Sequence, residues 1–395
     1  MYRDRTEKTL TDDPSTLRRP LYIRRTAELR HMVEKLADEP LLAIDTESNS
    51  LYAYYERVCL VQLSSRTEDY LIDPLTVEDM SPLGRLLADP QIEIVFHAAE
   101  YDIMSLKRDF QFSFNNIFDT MLAARACGWA KTGLGSLVEE QFGRVVDKRM
   151  QRADWSRRPL PPEQLQYAQY DTHFLPILRD RLLAELETMG RLDSARETFA
   201  ALSDLPAAQH RFDPDGFWRI HQVRDLRRFQ IAIVRELYLL RDEMARQRDW
   251  PPFKVMTDET MVQLASLGPR RADDLRGIKG LNDRLVERDG EAIIQAIVRG
   301  SRAKLPLPPT RDQIDPDIQA RYEALKDWRK QRAAERGVES DVILPRDVLW
   351  TLARQLPTRL EDLDNIPGLG PWRRAEYGAE LLHVLEHAND QEPGS

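Results

Sequence analysis

The sequence predicts an α/β domain followed by two small all-α domains. Three observations carry this: early β-rich runs interleaved with helical patterns, a switch to helical periodicity after about residue 119, and an internal repeat in the C-terminal half. The organising stretch is Leu41 to Ser48, LLAIDTES. Its first four residues are apolar without polar alternation, which reads as a strand buried on both faces. Side chains two apart on an extended chain point the same way, so Asp45 and Glu47 share one side at the strand's exit. Like charges held that close repel and burial raises their cost, so the pair calls for a compensating cation, for which a divalent metal is the natural candidate. On this segment alone, a helix cap or solvated turn fits as well.

The remaining elements follow in order. Residues 1–20 read as a loose polar arm, and Thr26 to Leu36 has helical spacing through Leu29, Met32, Val33 and Leu36. RVCLVQLS (57–64) and DYLID (69–73) read as a hairpin beside the first strand, and IEIVFH (92–97) as a further buried strand. AEYDIMSLKRDF (99–110) is amphipathic and puts Asp102 in the first turns after that strand. Helical patterns follow at 119–127, 134–142 and 163–187. In QLQYAQYDTHFLPIL, Tyr167 and Asp171 are four apart and so stack on one helix face. Taken alone, Tyr167 reads as a packed aromatic before a catalytic one, and His97 as easily as a satisfied core histidine. Four carboxylates beside core elements are hard to accommodate without metal.

At 395 residues the chain exceeds what one core serves, and two or three domains are expected. The N-terminus MYRDRTEKTL has no apolar core, and no run approaches the roughly 18 apolar residues of a membrane span. Cys59 and Cys127, the only cysteines, lie in apolar contexts without metal-ligand spacing, which suits a cytoplasmic protein, and they are too few for a disulfide framework. The net charge of −9 argues against broad adhesion to nucleic acid but leaves room for a local basic track. Arg144 to Arg158 supplies one, with Arg144, Lys148, Arg149, Arg152, Arg157 and Arg158 against Asp147 and Asp154, and with Trp155 in the middle. Basic groups pair with phosphates and an aromatic can stack on an unpaired base; a solvated loop around a core tryptophan is the alternative.

In the C-terminal half, a shift of 88 residues pairs Leu264-Ala265 with Leu352-Ala353, Pro269 with Pro357, Asp274-Leu275 with Asp362-Leu363, Gly280-Leu281 with Gly368-Leu369 and Gly290 with Gly378. The Gly-Leu steps read as tight interhelical turns, and LPLPPTRDQIDP (305–316) as a linker that cannot continue a helix. The expected divisions are a 1–20 arm, an α/β domain over 21–203, a helical domain over 211–300, a Pro-rich linker over 301–317 and a second helical domain over 318–389.

At this point the chain resembles the ribonuclease D group of DEDD-type 3′→5′ exonucleases, in the subclass with a tyrosine in the last motif. Asp45-Thr46-Glu47 matches the first motif, HAAEYD (97–102) the second and YAQYD (167–171) the third, joined by NIFDTMLAAR (116–125) and DKRMQRADWSRRPLPPEQLQYA (147–168). The resemblance implies an RNase H-like mixed sheet with flanking helices. It implies that Asp45, Glu47, Asp102 and Asp171 hold two divalent ions, Mg²⁺ or Mn²⁺, and that Tyr167 positions the attacking water. Lys148, Arg149, Arg152, Trp155, Arg157 and Arg158 are then the expected substrate contacts. Both helical copies resemble the helicase-and-RNase-D C-terminal (HRDC) domain, which implies auxiliary nucleic-acid binding, with a packing or protein-docking role as the alternative for the second copy. The implied activity is hydrolysis from the 3′ end of structured RNAs such as tRNA precursors, releasing nucleoside 5′-monophosphates. The expected partner is RNA with a free 3′ end, with no membrane and no obligate protein partner. A DNA exonuclease of the same fold, or a silent nucleic-acid-binding scaffold, is the alternative.

Overall fold

The computed structural model describes residues 17, 19–145, 148–304, 307–308 and 314–388. Residues 1–16 and 18 of the expected N-terminal arm, and residues 305, 306 and 309–313 of the expected Pro-rich linker, lie outside them. The chain forms two compact units. One comprises the described residues of Met1–Glu47, Val58–Ala208 and Gln313–Ser395, the other Ser48–Arg57 and those of Gln209–Asp312.

The first unit contains a six-stranded mixed sheet of β1 (Leu21–Ile23), β2 (Leu41–Ser48), β3 (Val58–Ser64), β4 (Asp69–Ile72), β5 (Glu93–Phe96) and β6 (Ile117–Asp119), in the order β1-β4-β3-β2-β5-β6. β3 and β4 form the expected antiparallel hairpin, while β5 runs parallel to both β2 and β6. Burial on two faces is what β2 provides. Leu42 and Ile44 enter one core with Ile94 and Phe96, and Leu41 and Ala43 enter another with Val95 and Phe118. Helices α1 (Thr26–Leu36), α2 (Ser81–Leu87) and α3 (Glu100–Phe110) contribute to the first core. The second core takes residues from α4 (Thr120–Cys127), α5 (Leu134–Phe142), α7 (Leu175–Thr188) and α8 (Leu192–Ser203), and α6 (Pro162–His173) lies against β3 and β4.

Two short strands and two helices, β1, β6, α2 and α8, have no counterpart in the sequence reading; for β1 and β6, three residues are too few to show a period. The single helical pattern over 163–187 is two helices that meet at Phe174, with Pro176 in the first turn of the second. Proline lacks the N–H an uninterrupted helix needs and fits a first turn.

Each helical copy has the same plan. The first has α9 (Arg228–Arg248), α10 (Pro252–Val255), α11 (Asp258–Leu267) and α12 (Asp283–Arg302); the second has α13 (Pro316–Arg336), α14 (Ser340–Ile343), α15 (Arg346–Gln355) and α16 (Pro371–His387). The starts pair as 228 with 316, 252 with 340, 258 with 346 and 283 with 371, each 88 apart, so the sequence repeat is a structural one. Gly280 and Gly368 carry the equivalent turns at φ +92° and +79°, a region that L side chains rarely adopt.

The sequence pattern reads as two modules on a string, and the structure corrects this for the second. That module packs in the first unit, where buried Arg373 of α16 donates to Glu197 Oε1 at 2.8 Å and Thr198 Oγ1 at 3.0 Å on α8. Glu197 Oε2 in turn accepts the Trp372 N–H at 2.7 Å. On the exposed side, Arg125 of α4 reaches Glu339 and Asp341. The first module instead holds residues 48–57, which sequence order assigns to the α/β domain. Tyr54, 5% exposed, donates from its hydroxyl to Asp242 at 2.7 Å, and Asp249 Oδ1 accepts the N–H groups of Tyr54 and Tyr55 at 3.0 and 2.9 Å.

Candidate active site

Asp45 and Glu47 stand two residues apart near the end of β2, half-buried, as an extended strand requires. Asp102 sits in the first turn of α3, directly after β5, the parallel neighbour of β2, and is 7% exposed. The Thr46 hydroxyl donates to Asp102 Oδ1, so the residue between the two β2 acids ties strand to helix. Tyr167 and Asp171 lie one turn apart on α6, 8% and 7% exposed, and the tyrosine hydroxyl is hydrogen-bonded to the Asp171 carboxylate.

A polar network fixes the placement of α6. Asp69 at the start of β4 accepts from Ser64 at 2.6 Å and from Gln169 at 2.6 Å, and lies 2.8 Å from His173 Nδ1. Burial pushes the Asp69 carboxyl up, yet these partners hold it below the ordinary range. Thr172 adds a 2.7 Å contact to Ser64. These residues anchor the helix that carries Tyr167 and Asp171, and nothing in their sequence pattern distinguishes them.

The four carboxyls are all raised, three of them in part by other members of the cluster. Burial raises Asp45 well above the usual carboxylate range, and Asp102, Asp171 and Glu47 each raise it further. Glu47 is raised well above by burial, then by Asp171 and Asp102, and Asp171 by burial and Asp102 despite its bond from Tyr167. Asp102 is pushed to about 7 by burial, with Asp119 adding to the rise and the Thr46 bond opposing it. Such a cluster is costly when ionised and its oxygens are hard donors, which is the chemistry a divalent cation suits. Burial and the three nearby carboxylates Asp171, Glu47 and Asp45 drive the Tyr167 phenol far above its ordinary value, so it stays protonated and can donate. Burial holds His97 near 4, so its imidazole is neutral.

The basic segment divides. Arg149, Arg152 and Arg157 are exposed, and the Arg157 side chain, 80% exposed, makes a local pair with Asp154 at 3.0 Å. The Lys148 side chain lies outside the described residues. Trp155 corrects the expectation of a stacking platform. It is 1% exposed in a core with Cys59, Leu60, Leu71 and Tyr167, so it offers no face to a base. Arg158 is also not a phosphate contact. It forms a bidentate pair with fully buried Asp73 at 2.6 and 2.7 Å and donates to the carbonyls of Cys59 and Trp155. Gln151 in the same segment hydrogen-bonds Tyr167, a contact that the basic pattern gave no reason to expect.

A family model described as a 3′-5′ exonuclease matches residues 20–187, and the HRDC domain model matches 230–297 and 318–385. The chain is 32% identical to ribonuclease D of Gluconacetobacter diazotrophicus, covering 93% of each chain. It is 31% identical to ribonuclease D of Pseudomonas paraeruginosa, over 93% of this chain and 98% of that one. The crystal structure of Escherichia coli RNase D, described as an exoribonuclease involved in structured RNA processing, superposes with a TM-score of 0.66 at 26% identity. It covers 93% of this chain and 99% of that one. A mixed-sheet nuclease domain whose strand ends and helices gather four acids beside a tyrosine, followed by two HRDC domains, accounts for these matches along the chain's length: it belongs to the ribonuclease D family of 3′→5′ exonucleases.

Proposed function

We propose that this 3′→5′ exoribonuclease trims the 3′ ends of structured RNAs, with tRNA precursors as the natural class, through the tyrosine-containing form of the DEDD site. The observation that carries the reading is that Asp45, Glu47, Asp102 and Asp171 are gathered at one place and all raised above the usual carboxylate range, which a divalent cation would relieve. These four residues would hold two divalent ions, in keeping with the family's dependence on divalent metal. Mg²⁺ fits an all-carboxylate set that leaves room for water and phosphate, and Mn²⁺ accepts the same donors. When bound, the metal supplies a water of lowered pKa and charge stabilisation for the leaving 3′-oxygen.

The chain's own groups do the rest. Tyr167, protonated and fixed by Trp155 packing, Asp171 and Gln151, orients the attacking water by hydrogen bonding instead of removing its proton. Arg149, Arg152 and Arg157 offer exposed cations to the phosphodiester backbone. The catalytic domain is taken as 21–203, and the HRDC domains as 211–300 and 318–389. The first has the better case for seating RNA, because the second is packed against α8.

Digestion of matched RNA and DNA oligonucleotides tests the reading. Stepwise release of nucleoside 5′-monophosphates from RNA is expected. Preference for DNA would move the assignment to a DNA exonuclease, and no cleavage of either would leave a binding scaffold.

A further inference from the structure

A fifth carboxylate, outside the three motifs, is built into the nuclease domain. Asp119 ends β6 and is 1% exposed. It caps α4, its Oδ1 accepting the N–H groups of Met121 and Leu122 at 2.8 and 3.0 Å. It also reaches across to the neighbouring strand's exit, where Oδ1 accepts from Ala98 at 3.2 Å and Oδ2 from Ala99 at 2.7 Å. Ala98 has φ +64°, the left-handed region that is costly for a residue with a Cβ. Thr120 supports the same turn, donating to the Phe96 carbonyl at 2.9 Å and lying 2.9 Å from His97 Nδ1. Ala99 is the N-cap residue of α3, whose first turn holds Asp102, and no side chain of its own caps that helix.

We propose that Asp119 is a positioning residue of the exonuclease site: by holding the left-handed turn at Ala98 it sets where α3 presents Asp102 to the other three acids. Capping α4 alone would need only Oδ1; the Oδ2 bond to Ala99 and the pairing of Phe96 with Asp119 across β5 and β6 tie the carboxylate to the start of α3. A burial cost is accepted here, since the carboxyl is raised by its surroundings, and its charge also pushes Asp102 upward. The inference rests on the reading of Asp102 as a metal ligand.

The test is Asp119→Asn in the full chain. Asparagine keeps the shape but only one of its terminal atoms accepts, so it cannot serve both helices. Four quantities are read: Mn²⁺ affinity of the metal-stripped chain by calorimetry, kcat, KM for an RNA oligonucleotide, and the unfolding midpoint. A loss of about ten-fold or more in Mn²⁺ affinity is expected, the scale of lost outer supports at metal sites, with kcat falling in step and KM within two-fold. Adding Ala98→Gly should restore several-fold of that affinity, because glycine takes the left-handed turn without a clamp. Wild-type Mn²⁺ affinity in Asp119→Asn, or a loss that Ala98→Gly leaves unchanged, would overturn the inference and reduce Asp119 to a cap of α4. Should the Asn variant fail to fold, Asp119→Ser, which keeps an N-cap oxygen, takes its place with the same outcomes. Asp102→Asn is measured alongside. If it binds Mn²⁺ as wild type does, the reading of the site itself fails; if it does not while Asp119→Asn does, only this inference fails.

Discussion

Removing metal should make the nuclease domain lose stability as the pH rises, and Asp102→Asn should abolish much of that loss. The Asp102 carboxyl lies at about 7 in the folded chain against its ordinary 3.8. At about 1.4 kcal/mol for each tenfold change in proton affinity, this is on the order of 4 kcal/mol. The folded state holds the proton more tightly than the unfolded state does. This contribution is therefore fully present below pH 3.8 and is lost as the pH rises through about 7. A divalent ion at a hundred times its Kd returns about 2.7 kcal/mol, which for a domain of this size is roughly 5 to 10 °C in the unfolding midpoint. The assay is thermal unfolding of chelator-stripped protein at pH 5.5 and pH 8, with and without Mg²⁺. The wild type should show a large metal shift at pH 8 and a small one at pH 5.5, where protons compete for the same oxygens. Asp102→Asn keeps an oxygen for the Thr46 hydroxyl, mimics the protonated acid, and should be several degrees more stable than metal-free wild type at pH 8 while losing most of the metal response. Equal metal-free midpoints at pH 8 for the two proteins, or an equal metal shift at both pH values, would refute the reasoning.

Tyr167→Phe keeps the buried ring and its packing on Trp155 but removes the hydroxyl bonded to Asp171 and Gln151; kcat should fall by roughly 10²-fold with KM nearly unchanged, and normal cleavage would make Tyr167 a core aromatic only. Glu197→Ala leaves Arg373 buried without its carboxylate, a change worth about 3–5 kcal/mol; calorimetry should show a midpoint lower by about 6 °C or more, and an unchanged midpoint would mean the second HRDC domain adds nothing to the stability of this unit. Replacing Arg149, Arg152 and Arg157 with Ala should raise KM and flatten its salt dependence, since fewer counterions are released on binding. Arg158→Ala should instead lower the unfolding midpoint, because it leaves Asp73 buried without its cation; a changed salt slope with normal stability would return Arg158 to the RNA contacts.

Local spacing made much of this protein legible. An apolar run ending in acids two apart can only put Asp45 and Glu47 together if it is a strand, and it is one. The four-residue step from Tyr167 to Asp171 is one helical turn, and the register of 88 residues carried through to every main helix of the HRDC pair. Periodicity records such geometry because the backbone repeats on the same scale.

What the sequence left open depends on residues far apart in the chain. Arg157 and Arg158 read alike in a basic run, yet one stays in solvent and the other turns inward to Asp73, 85 positions away. Trp155 could have been a stacking platform until the core around it closed over both faces of the ring. Residues 48–57 follow the first motif directly but take their partners from the first HRDC domain, 188 to 195 positions on. The second HRDC domain is joined to α8 by a pair 176 positions apart. A side chain's type and its neighbours in sequence fix what it can bond to. Which partner it meets, and whether water is excluded there, is decided by the packing of elements whose sequence separation carries no signal.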